Sequence, residues 1–124
     1  MMQSLGVVPR LFPEIVNGEK QSTIRWREEP IEPGYMLYVC DGAPERTALV
    51  WVIAVTTMPL RDAAAYLGRE RDWPDGVMLD GMREHYPAIT LDDAVEIVEH
   101  LTPDETRLRG DFPAVQGAPA EGRP

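Results

Sequence analysis

A lysine, a threonine and an arginine stand close together in Gly18-Glu19-Lys20-Gln21-Ser22-Thr23-Ile24-Arg25. The β-branched and aromatic run Ser22 to Trp26 predicts a strand. Side chains alternate along a strand, so Thr23 and Arg25 share one face while Ile24 points the other way, into a core. Lys20, just after the Gly18 turn, reaches the same side as Thr23. One short segment thus presents an amine, a hydroxyl and a guanidinium. Arginine offers a planar fork to phosphate or carboxylate, and lysine adds a point charge. The Lys20–Thr23 pair also admits covalent chemistry. A desolvated lysine has a depressed pKa and can take a proton from a hydroxyl, which then becomes a nucleophile, as in Ser–Lys arrangements. Taken alone, the same residues read as a solvated rim after a turn.

The elements around this segment follow from periodicity and punctuation. Residues 1–9 read as a loose lead-in. Phe12, Ile15 and Val16 fit one face of a short helix, with Asn17-Gly18 as its C-cap. After the turn-rich Glu28 to Gly34 comes a strand from Tyr35 to Cys40, then a tight turn at Asp41-Gly42. The strongest strand runs from about Thr47 to Thr57, and Val50, Val52, Ile53 and Val55 suggest burial on both faces or a barrel wall. Helical spacing returns at Leu60 to Leu67 and at Gly76 to Tyr86, separated by the polar loop Arg69 to Pro74. Thr90 to Leu101 is ambiguous: Thr90-Leu91-Asp92-Asp93 resembles a capping box, and Leu91, Val95, Val98 and Leu101 fit a helix face slightly better than a strand. From Pro103 on, the composition predicts a flexible, largely disordered tail over residues 103–124.

The chain has 124 residues, enough for one domain. Its net charge of −9 counts against broad binding to a phosphate backbone, so extended duplex DNA is not an expected partner. A small basic pocket on an acidic body stays open. One cysteine, Cys40, fits a reducing cytoplasm. No signal peptide or membrane span is expected, since the longest apolar run, about Ala48 to Val55, is far short of roughly 20 residues. His85 and His100 lack metal-ligand spacing, and neither a metal nor a cofactor is expected. Trp26 and Trp73 could stack on a base, with packing the stronger reading. Tyr35 and Tyr38 read as barrel wall and Cys40 as a buried small hydrophobe.

The run Gly18-x-Lys20-x-x-Thr23-x-Arg25, preceded by Phe12 and Ile15-Val16, resembles the signature of the ASCH domain family. Gly34 opening an apolar strand, the Val-rich strand, and a helical region ending in His85-Tyr86-Pro87 match in order. The resemblance covers roughly residues 10–102. It implies an α+β fold: a small β-barrel related to the PUA fold, with two or three flanking helices and a closing strand at Val95 to Leu101. It also implies a cleft that binds a nucleotide, a nucleoside or short RNA, lined by Gly18, Lys20, Thr23, Arg25 and Trp26. Some members are amidohydrolases acting on acetylated cytidine, which implies Thr23 as nucleophile, Lys20 as base and a carboxylate such as Glu70 or Asp72 from the helical region. Others are ribonucleases. A ligand-sensing protein without turnover is the remaining alternative.

Overall fold

The computed structural model describes residues 2–109. Five strands make one sheet in the order β1-β3-β4-β5-β2: β1 (Gln3–Val7), β2 (Ser22–Arg25), β3 (Gly34–Cys40), β4 (Ala43–Pro59) and β5 (Ala94–His100). The sheet curls into a half-barrel, giving the small α+β architecture expected. It stays open, with β1 and β2 as its two edges. The helices are α1 (Phe12–Val16), α2 (Ala63–Tyr66), α3 (Asp75–Arg83) and α4 (Pro103–Leu108), and a 3-10 turn at Leu60–Asp62 leads into α2. No helix among the described residues is long and apolar enough to cross a membrane.

Two cores flank β5. Its residues Val98 and His100 turn toward the inside of the curl, where Leu5, Ile15, Met36 and Val50 are buried. Val95 and Ile97 turn the other way, onto Leu60, Ala63, Met78 and Ile89 from the helical region. Burial on both faces puts apolar side chains at Val95, Ile97 and Val98, which breaks strict alternation and imitates a helix face. The capping-box pattern before it is a real device with another use. The Asp93 carboxylate accepts from the Thr90 backbone N–H at 2.8 Å and from its hydroxyl at 3.1 Å, closing a turn into the strand.

Three expectations about elements change. Residues 3–7, read as lead-in, form β1, which runs parallel to β3 with Leu5 opposite Tyr38. The Val-rich β4 is not buried on both faces. Val50 and Val52 are buried, while a register shift between Val52 and Ala54 leaves Ile53 54% exposed. A bulge adds a residue to one strand and turns the following side chains, so the apolar run overstates the buried area. The tail begins later than expected, because residues 103–108 form α4. Thr102 and Glu105 cap it reciprocally, at 3.0 and 2.9 Å. Buried Thr106 accepts the Trp51 backbone N–H at 2.9 Å, docking the helix on β4. The pattern Thr102-Pro103-Asp104-Glu105 carries the signal for this, a capping box with proline in the first turn. The rest of the expected tail, residues 110–124, lies outside the described residues.

Candidate functional site

The two sheet edges share one cleft of about 1210 Å³. Its walls are β1, β2 with the loop that follows, and the exposed side of α3 out to Tyr86, and Tyr38 also lines it. Lys20, Thr23 and Arg25 all line this cleft. The local cause lies in α1. Asn17 caps the helix, and Gly18 follows at φ 88°, a left-handed conformation that glycine adopts without strain. The chain turns there, and the Lys20 backbone N–H donates to the Glu14 carbonyl at 2.9 Å. Strand β2 then pairs antiparallel with β5, placing Thr23 opposite Val98 and Ile24 opposite Ile97. Ile24 therefore packs on the helix-side core, and Thr23 and Arg25 face inward.

Lys20 is half-buried, and its ammonium donates to the Ser22 carbonyl at 2.6 Å. Burial lowers its pKa, the negative charge of Glu14 opposes that, and the positive charge of Arg69 adds to it. Among the described residues Lys20 forms no ion pair, and no hydrogen bond joins it to Thr23. The loop residue whose charge reaches it is the cation Arg69. Glu70 is exposed, makes no hydrogen bond among the described residues and does not line the cleft. Asp72 is held by Arg69 at 3.2 Å. The lysine–threonine–carboxylate arrangement is thus not assembled in this structure.

Arg25 is nearly enclosed in the cleft wall, its side chain 11% exposed. One terminal nitrogen, Nη2, pairs with Glu28 Oε1 at 3.1 Å, and Glu28 is 42% exposed. The Arg25 Nε is buried and has no hydrogen-bond partner among the described residues. The other Glu28 oxygen accepts the hydroxyl of Tyr86, from just beyond α3. Burial and the bond to Glu28 push the Tyr86 pKa up to about 12, so the phenol stays protonated and donates. Between Arg25 and Glu28, Arg27 has φ 57°, a left-handed conformation unusual for a residue with a side chain. The guanidinium of Arg27 lies 4.4 Å from the Trp26 ring centre, and Tyr86 meets that ring edge-on at 6.0 Å. Trp26 itself packs against the helix-side core and does not line the cleft, and Gly18 shapes the turn without lining it.

A second polar pair went unnoticed in the sequence. Tyr38 and His100 are buried, with the Tyr38 hydroxyl 2.9 Å from His100 Nε2. The other ring nitrogen, Nδ1, lies 2.8 Å from the Leu101 carbonyl. A carbonyl only accepts, so Nδ1 carries the proton, Nε2 is the acceptor, and the Tyr38 hydroxyl donates to it. Burial lowers the His100 pKa and raises that of Tyr38, keeping both neutral. No signal in the sequence pairs residues from β3 and β5 that are 62 positions apart. No group of three or more His, Cys, Asp or Glu side chains able to hold a metal occurs among the described residues.

An open, curled five-stranded sheet with a few helices is the fold of ASCH domains, the small α+β class akin to the PUA fold. The chain is similar in structure to the ASCH protein of Zymomonas mobilis, with a TM-score of 0.56 and 13% identity over 92% of this chain and 82% of that one. It is also similar to the ASCH domain of Lactobacillus crispatus, with a TM-score of 0.50 and 17% identity over 76% of this chain and 70% of that one. At such identities the likeness is one of fold. No family model matches the sequence, and no match was found among curated proteins.

Proposed function

We propose that this chain is a binding module for a nucleotide, a nucleoside or a short RNA segment, held in the cleft between the two sheet edges. The observation that carries the reading is Arg25. Its guanidinium is sunk in the cleft wall with the buried Nε–H unpaired, on the same face as Thr23 and in the same cleft as Lys20. A buried unpaired donor is costly, and a ligand that accepts from it recovers that cost. The resemblance of Gly18-x-Lys20-x-x-Thr23-x-Arg25 to the ASCH signature supports a ligand in this position. The acidic balance of the chain favours a small ligand over a long nucleic acid. Binding is preferred to hydrolysis because a proton-transfer role for Lys20 calls for an orienting carboxylate, and no described carboxylate pairs with it.

The test is a titration of nucleosides, nucleotides and short RNA oligomers into the wild type and Arg25→Ala. Loss of a charged hydrogen-bond donor should weaken binding by roughly tenfold or more. A wild type that binds none of them would sink the reading. Incubation with acetylated cytidine checks the other branch. Deacetylation that is lost in both Lys20→Ala and Thr23→Ala would restore the hydrolase.

A further inference from the structure

We infer that Arg25 and Tyr86 form a subsite for a phosphate group, and that the carboxylate of Glu28 occupies it as an internal substitute until ligand arrives. The inference rests on the proposed binding function and specifies its ligand class: a phosphorylated nucleoside, not a neutral one.

Donor geometry carries the argument. Two donors, Arg25 Nη2 and the Tyr86 hydroxyl, meet at Glu28, and a third, Arg25 Nε, belongs to the same guanidinium. Glu28 has two oxygens. One takes Arg25 Nη2 at 3.1 Å and the other takes Tyr86. The third donor, Nε, is left buried without a partner. In this placement the two carboxylate oxygens serve Nη2 and Tyr86 and leave Nε unserved. A phosphate adds a third terminal oxygen on a tetrahedral centre, and guanidinium-to-phosphate recognition is frequently bidentate. The occupant now present is of the right charge and leaves one donor unmet.

The occupant can also leave. Glu28 is half-exposed, on the loop beyond β2, whereas Arg25 is nearly enclosed. Arg27, in its left-handed conformation, turns the chain so that Glu28 comes back toward Arg25. Farther along the loop, Ile31 is buried in the inner core and anchors it. Glu28 can thus swing toward solvent about residues that need not unpack. Trp26, edge-on to Tyr86, fixes the ring that supplies the hydroxyl donor. While Glu28 is seated, only the fraction of molecules with the subsite vacant binds phosphate, so the apparent affinity is reduced by that fraction.

The experiment is isothermal titration of the wild type, Glu28→Gln and Glu28→Ala with adenosine, cytidine, their 5′-monophosphates and inorganic phosphate. Circular dichroism and urea unfolding establish that each variant is folded. Both variants are expected to bind the monophosphates about tenfold more tightly than the wild type. The nucleosides should gain less than about threefold, since they bring nothing to the subsite. A gain for inorganic phosphate alone, with the nucleosides binding nowhere, upholds the phosphate subsite and removes the nucleoside from the ligand. Monophosphates that bind all three proteins equally would overturn the subsite and leave the binding function standing. An absence of binding by every probe to every protein would overturn both.

Discussion

The Tyr38–His100 and Arg25–Glu28 pairs are polar contacts of similar length, 2.9 and 3.1 Å, and Tyr38 and Arg25 both line the cleft. In the first, both partners are buried and both ring nitrogens of the histidine are engaged, one by Tyr38 and one by the Leu101 carbonyl. In the second, one partner reaches solvent and one buried nitrogen is unmet. A closed pair serves the fold, because breaking it strands a group with no water to turn to. An open pair has a vacancy to offer, and exchanging its exposed partner costs little. The contrast separates the residues that hold the cleft floor from those available to a ligand.

The largest expected effect falls on the closed pair. Tyr38→Phe leaves His100 Nε2 buried without its donor, and should cost about 1–3 kcal/mol of stability in urea unfolding. Ligand affinity, corrected for the folded fraction, should change less than it does in Arg25→Ala. A cost under about 0.5 kcal/mol would mean that water reaches His100 and that the pair is not closed.

Acid tests the same pair without mutation. Burial holds the folded pKa of His100 below its unfolded value of 6.5, helped by the positive charge of Lys20 and opposed by the Leu101 carbonyl. Below pH 6.5 the unfolded chain therefore binds a proton that the folded chain resists. The contribution to stability is whole above that pH and declines as the pH falls, by at most about 1.4 kcal/mol per pH unit. It levels off once the folded imidazole is itself protonated. The urea midpoint should fall between about pH 7 and pH 5, and the fall should persist in Glu28→Gln, whose change lies outside this pair. A flat profile in the wild type would show that His100 titrates as freely as in the unfolded chain.

The sequence makes the open pair's wall legible and hides the closed one, for a physical reason. Lys20, Thr23 and Arg25 belong to one turn and one short strand, so alternation alone puts Thr23 and Arg25 on one side. Tyr38 and His100 meet only because β3 and β5 both pair with β4, and pairing across a sheet leaves no local trace. The same limit explains Glu28 and Tyr86, joined across 58 residues. It also explains Val95 to His100, where burial on two faces removes the alternation that marks a strand. The expected carboxylate at Lys20 failed differently. A residue in the right stretch of sequence, Glu70, lies on an exposed loop, and Arg69 beside it is the one whose charge is felt.

Stability should respond much less to the open pair than to the closed one. An ion pair with a half-exposed partner is screened by water, so Glu28→Gln is expected to cost under about 1 kcal/mol. The ratio of its effect on monophosphate binding to its effect on stability is what sharpens the contrast. A loss comparable with that of Tyr38→Phe, read in the same urea experiment, would make Glu28 a structural residue and erase the distinction.

The smallest effect is expected at Arg27, and it asks what seats Glu28. Arg27→Ala and Arg27→Gly both remove the guanidinium from the face of Trp26, so they lose the same cation–π contact. They differ in the backbone. Alanine keeps the strain of a left-handed residue, roughly 1–2 kcal/mol, and glycine does not. Glycine gives part of that back through the freedom of the unfolded chain, about 0.4–1 kcal/mol. The Arg27→Gly variant should therefore be the more stable by about 0.5–1 kcal/mol in urea unfolding. Monophosphate binding should follow in the opposite sense: a relaxed turn holds Glu28 over Arg25 at lower cost, and the ligand must displace a better-seated carboxylate. An alanine variant more stable than the glycine one by about 0.4–1 kcal/mol would mean that the turn stores nothing, leaving the ion pair and the Tyr86 bond alone to keep Glu28 in place.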